Sequence, residues 1–232
     1  MEDGSDRSGT VAGAAGQAIA AVALVSALAL GFWVMAKPGG RSSAAPKPAT
    51  CSNEDEYGKK NKAAGRVSGA ELCAALNRKD LATLLGTPTE IPKAATGGDS
   101  SIGSAGGRDI PTPSARIEFD TYTVNLEATY DGRPVALTAG LFDDPQKNRT
   151  FHSHRAVLYS DRTISFSFRL DGGESSSAPG VPARVLSVAQ DARDKGGSYE
   201  LTLWREDGGV PDDTVLFDVA ERVLPSIPGW NS

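Results

Sequence analysis

The only histidines of the 232-residue chain, His152 and His154, stand two apart in TFHSHRAV, a spacing that puts both on one face of a strand. Paired imidazoles suggest zinc, but a zinc site needs at least one further protein ligand, and Asp143 and Asp144 are the nearest carboxylates. No H-E-x-x-H or similar spacing accompanies them. The expectation is therefore solvated histidines at a loop end, with no metal and no cofactor. A second acidic group, Glu206, Asp207, Asp212 and Asp213 in REDGGVPDD, has the residue types of a calcium loop. A turn followed by a helix cap explains the same carboxylates, because the helix dipole favours them there. Serines are plentiful, yet a nucleophile needs a base in reach and an oxyanion hole, and no G-x-S-x-G elbow is present. The glycines of AATGGDSSIGSAGGRDIPTPS match neither phosphate-binding pattern and read as a long surface loop. Paired carboxylates for glycoside cleavage stay open, since their separation is set by the tertiary fold. No catalytic residue is assigned.

The remaining chemistry lies in two cysteines, Cys51 and Cys73. An even pair fits an oxidising compartment. A disulfide between them would staple the stretch before the folded region to its first helix, worth about 3 kcal/mol in the chain-entropy model. The alternative is that Cys73, beside Leu72 and Leu76, is a core thiol and Cys51 is free.

Position along the chain decides where such groups can act. From Ala18 to Ala36 the sequence reads AIAAVALVSALALGFWVMA, with no charge between Arg7 and Lys37. About 20 apolar residues cross a hydrocarbon layer of roughly 30 Å, and the apolar run begins already at Val11. A cleavable signal has a basic leading region and a shorter core of about 7–15 residues. This stretch is accordingly read as a retained single-pass anchor over 11–36, although VMA before Lys37 has small residues at cleavage spacing. Lys37, Arg41 and Lys47 bias the following part towards the cytoplasm, whereas large domains translocate largely regardless of flanking charge. With the cysteine pair, the second argument is preferred and the domain is expected outside. The net charge of -5 argues against a nucleic-acid partner and against a polybasic lipid-binding surface.

Four regions follow: a short tail over 1–10, the span over 11–36, a flexible linker over 37–66 rich in Pro, Ala, Ser, Gly and charge, and a globular domain over 67–232. The domain opens with a capping box, Ser68 to Glu71, and Val67 and Leu72 take hydrophobic-staple positions. Asn77 is the expected cap of a second short helix carrying Leu81, Leu84 and Leu85, closed by Gly86 and Pro88. Ile117 and Phe119, then Tyr122, Val124, Leu126 and Ala128, alternate with a phase change that implies a bulge or bend. RAVLYSDRTISFSFRLDGG reads as a hairpin turning at Ser160 to Arg162. ARVLSVAQDARDKGGSYELTLWRE reads as another, with Tyr199, Leu201 and Leu203 on one face. Val215, Leu216, Val219, Ala220, Val223 and Leu224 recur at helical spacing, with Asp212 or Asp213 as cap and Pro225 and Pro228 as stops. The fold class is α+β: a twisted antiparallel sheet covered by an N-terminal helical hairpin and a C-terminal helix, preceded by a single transmembrane helix.

The blocks VSGAELCAALNRKDLATLLGTP, IPTPSARIEFDTYTVNLEATYD, AVLYSDRTISFSFRLDG, GVPARVLSVAQDA and GGSYELTLWREDGGVPDD, with GQAIAAVALV before and AERVLPSIPGW after, resemble streptomycete membrane proteins catalogued only as a domain of unknown function. The resemblance covers nearly the whole chain and implies an actinobacterial cell-envelope protein with no assigned activity. More loosely, the opening helical hairpin resembles that of actinobacterial lipoproteins with a PsbP-like fold, whose lipid-attachment cysteine this chain lacks. The expected function is a non-catalytic extracytoplasmic binding or interaction module, held to the membrane by its own helix and meeting an envelope protein, wall or lipid partner. An extracytoplasmic hydrolase is the alternative.

Overall fold

Alternating apolar positions on consecutive segments, each too short to bury itself, are resolved by pairing them edge to edge. The computed structural model describes residues 47–51, 56–103, 107, 109–138, 147–167 and 176–230. Helices α1 (Glu56–Ala63), α2 (Gly69–Leu76) and α3 (Leu81–Leu84) come first. Strands β1 (Ala94–Gly98), β2 (Ser101–Gly103), β3 (Asp109–Pro111), β4 (Ser114–Glu118) and β5 (Tyr122–Thr129) follow. After the short helix α4 (Val135–Thr138) come β6 (Lys147–Phe151), β7 (His154–Ser167), β8 (Ser176–Ala189) and β9 (Ser198–Arg205). Helix α5 (Asp213–Val223) and a 3-10 turn (Leu224–Ser226) close the described chain. The main sheet has the order β1-β4-β5-β9-β8-β7-β6, antiparallel throughout, and β2 and β3 form a separate ribbon. The class is α+β, as expected.

One face of the sheet carries the helices. Ile117, Val124, Leu126, Leu186, Leu201 and Leu203 present that face, and Leu72, Leu76, Leu81, Leu216 and Val223 pack into the same core, all at most 1% exposed. Burying each such side chain contributes about 1.5–3 kcal/mol. Helix α2 starts where the sequence predicts: the Glu71 amide donates to Ser68 Oγ and the Ser68 amide to Glu71 Oε2. Helix α5 starts at Asp212, whose carboxylate accepts from the Thr214 amide at 2.7 Å. The opposite face has a smaller apolar cluster of Val135, Val157, Tyr159, Val185 and Ala189, in which α4 takes part through Val135.

Five local expectations are corrected. Asn77 does not cap α3; its backbone ends α2 and its side-chain amide donates to the Ala49 carbonyl, while Asp80 stands at the α3 N-cap. AATGGDSSIGSAGGRDIPTPS is not only a loop, since it supplies β1 and the β2–β3 ribbon; β1 needs few large side chains because α2 lies directly on its glycines. The phase change at Phe119 is a tight turn joining β4 to β5, with the Phe119 amide bonded to the Tyr122 carbonyl, so Ile117 pairs Val124 on one face. Ser160 to Arg162 is no turn: β7 runs through it opposite β8, with a register shift between Arg162 and Ile164. Residues 56–63, within the stretch read as linker, are helix α1, held by buried Asn61 donating to Asp99 Oδ1 at 2.7 Å.

The stretch read as a membrane span, 11–36, lies outside the described residues. Among the described residues no helix is long and apolar enough to cross a membrane.

Candidate functional site

Cys51 and Cys73 form a disulfide across 22 positions of sequence, with Cα atoms 5.9 Å apart. Helix α2 places Cys73 on its buried face beside Leu72 and Leu76, and the segment before Cys51 is tied down by two further bonds. The Ala49 amide donates to the Pro92 carbonyl at 2.9 Å, and its carbonyl accepts from Asn77. Between this stapled segment, the α2–α3 junction and the turn before β1 lies a cleft of about 350 Å³. Pro48, Ala82, Ile91 and Phe119 contribute apolar wall, and Arg78 and Lys79 stand at its cationic side. Arg78 is itself fixed: its guanidinium bonds the Asp80 carboxylate and the Arg222 carbonyl. The hydrogen bond from Arg78 holds the Asp80 carboxyl below its ordinary range. Such a cleft can seat an extended segment with an apolar side chain; it presents no activated nucleophile.

The face opposite α2 and α5, which carries the short helix α4, holds a different group. Glu127 of β5 and Glu200 of β9 are directly opposite in register, and Tyr159 of β7 donates its hydroxyl to Glu200 Oε2 at 2.6 Å. Burial pushes the Glu200 carboxyl up from the ordinary glutamate value, against the lowering effect of the Tyr159 hydroxyl. Glu127 is raised first by burial and then by the Glu200 charge. Burial beside Glu200 likewise raises Tyr159 far above an ordinary phenol. Burial thus favours the protonated form of both carboxyls relative to exposed glutamates. This group was not singled out from sequence. Glu127 in NLEATY and Glu200 in YELTLW occupy the polar phase of amphipathic strands, as surface glutamates do, and only strand register brings them together.

The residues that were singled out are dispersed. His152 sits in the β6–β7 turn at φ 45°, exposed, with Nε2 2.7 Å from Glu221. His154 is not solvated: it is fully buried, its Nδ1 lies 2.7 Å from the Ala189 carbonyl, and its ring stacks on Trp230 at 4.4 Å. The intervening turn separates the two rings, because Ser153 is also left-handed, at φ 68°. Asp143 and Asp144 lie outside the described residues. The acids of REDGGVPDD each have a protein partner: Glu206 accepts from Thr123, Asp207 pairs Arg205, Asp212 caps α5 and Asp213 pairs Arg184. Among the described residues no three His, Cys, Asp or Glu are grouped to hold a metal. A further opening of about 240 Å³ is lined by Arg149, Thr150, Ser153 and Arg155. Its arginines are engaged, Arg149 over the Phe217 ring at 4.7 Å and Arg155 with Asp194 at 3.6 Å.

Comparison with protein families finds a match over residues 9–145 to a family of unknown function, DUF6215. No curated protein and no solved structure matches the chain.

Proposed function

The chain belongs to the family of unknown function DUF6215, and we propose that it is a single-pass membrane protein of an actinobacterial cell envelope whose folded part is an extracytoplasmic binding module. The observation that carries this reading is the Cys51–Cys73 bridge, which uses both cysteines of the chain. A structural disulfide persists in an oxidising compartment. Outside the cell the bridge keeps the segment after the anchor docked on α2 and frames the cleft beside it. The uncharged run from Ala18 to Ala36 supports the anchor, and the resemblance of the sequence blocks to streptomycete membrane proteins supports the source. A binding role is supported by the cleft, whose apolar wall and cationic side suit a partner of the envelope, be it protein, wall polymer or lipid. Alkaline extraction of membranes, followed by the intact mass of the retained protein, tests the anchor. The expected product stays with the membrane and retains residues 11–36; a mature terminus at Lys37 contradicts the proposal.

A second reading, hydrolysis of a glycoside, is favoured by one observation, the Glu127–Glu200 pair. The two residues are directly opposed in register, and retaining glycosidases work with two neighbouring carboxyls. Turnover of chromogenic glycosides by the intact protein, lost in Glu200→Gln, would establish it. Absence of turnover across pyranoside classes leaves the binding reading.

A further inference from the structure

The cleft beside Cys51 is walled on most sides by segments that have a place in the fold without the bridge. Asn77 and Arg78 follow α2, Ala82 lies on α3, and Ile91 precedes β1. The remaining side is Pro48 and Ala49. Residues 47–51, a strap along that side, form neither helix nor strand. Among the described residues its hydrogen bonds both fall on Ala49, whose amide donates to the Pro92 carbonyl and whose carbonyl accepts from the Asn77 side chain. The third tie is covalent, from Cys51 to Cys73.

These ties are unequal. Ordering a stretch of coil this long costs more conformational entropy than two hydrogen bonds exchanged with water contribute. The side chains that the strap packs against the core, Ala49 and Cys51, are small and only partly buried, so apolar burial adds little. The disulfide closes the gap by confining the same stretch in the unfolded chain. The rest of the loop that the bridge closes has ties of its own. Asn61 of α1 donates to Asp99 at 2.7 Å, the Val67 amide donates to the Tyr130 hydroxyl at 2.8 Å, and α2 is fixed by Leu72 and Leu76, both fully buried. Loss of the bond therefore frees the strap and leaves α1, α2 and the sheet in place.

We propose that oxidation of Cys51 and Cys73 completes the cleft, so that a reduced chain presents an open shelf in its place and becomes competent to bind only in the oxidising compartment, a proposal that rests on the binding reading above. The step is a thiol–disulfide exchange with a thiol oxidase. The two thiols give up two electrons and two protons, one S–S bond forms, and the disulfide of the oxidase leaves as a dithiol. Cys51, on the loose strap, is the accessible thiol and takes the mixed disulfide. Cys73, held on α2, attacks the Cys51 sulfur and releases the oxidase.

The test follows amide hydrogen exchange in the full chain in detergent micelles, with thiols titrated in parallel, before and after reduction with a phosphine. Cys51→Ser repeats the unbridged state without reductant. The expected result is no free thiol before reduction and both cysteines titrating after it. Exchange at Ala49 should quicken by about a hundredfold in the reduced chain and in Cys51→Ser. Exchange at Leu126 and Leu201, fully buried in the sheet, should not change. Protection at Ala49 that survives reduction overturns the proposal and leaves the binding reading standing. Protection lost at Ala49, Leu126 and Leu201 together makes the bridge a staple of the whole domain, which also overturns the proposal. Free thiols on both cysteines before reduction overturn the bridge, and with it the proposal and the reading on which it rests.

Discussion

Gly69 and Gly97 meet where helix α2 crosses strand β1: a methyl group added to Gly97 would overlap the Gly69 carbonyl and lie 3.0 Å from Cys73 Cβ. At this crossing the helix that carries the disulfide rests on backbone, while Leu72 and Leu76 pack into the core. Gly97→Ala is expected to destabilise the fold by about 1–3 kcal/mol, the usual cost of overpacking. Urea unfolding reads this as a lower midpoint with an unchanged slope.

The bridge itself should be worth about 3 kcal/mol for a loop of this length in the chain-entropy model. Cys51→Ala tests it more cleanly than a change at Cys73, because Cys73 is fully buried and its replacement also disturbs packing. A loss well under 1 kcal/mol would show that 51–73 stays ordered without the bond.

Stability should depend on pH through Glu127 and Glu200. Both carboxyls are raised in the folded state, so between the unfolded value, about 4.3, and the folded value the native protein binds more protons than the unfolded chain. By linkage this contribution is fully present below the unfolded value and is lost as pH rises through the folded one. Glu200→Gln removes the charged form and is expected to be more stabilising at pH 7 than at pH 4. Thermal unfolding of the two proteins across that range checks the sign, and an opposite slope would show that the fold favours the ionised form of Glu200.

Asp194, at φ 56° in the β8–β9 turn, accepts from the Val135 amide at 2.6 Å and the Ala136 amide at 3.3 Å. A carboxylate on a distant turn thus caps α4 and holds it over the second apolar cluster. Asp194→Ala should cost about 0.5–2 kcal/mol and speed hydrogen exchange at Val135 and Ala136 while leaving β9 amides protected. Uniform loss of protection would mean that α4 has no independent opening.

Local chemistry was legible in the sequence wherever a single short segment decides it. Ser68 with Glu71, Asp212, the Tyr199, Leu201 and Leu203 row and the apolar stripe of α5 stand as the residue pattern requires. Where a distant partner decides, the pattern misleads. Turn-forming residues in YSDRT did not break β7, because β8 pairs with it from Tyr159 to Arg162 and again from Ile164. AATGG lacks the apolar alternation of a strand because its glycines serve the approach of α2. His154 looks like a loop histidine until Trp230, 76 positions later, stacks on it. The carboxyl pair was invisible for the same reason: nothing in NLEATY or YELTLW says that the two glutamates face each other.

The compartment of the bridged domain is the most direct test of the proposed function. Intact cells are treated with a membrane-impermeant maleimide, with and without prior reduction, and Cys51 and Cys73 are mapped. An exported, bridged domain predicts no labelling before reduction and labelling of Cys51 after it. Thiols that stay unreactive until the cells are lysed, and then react without reductant, would contradict both the export and the bridge.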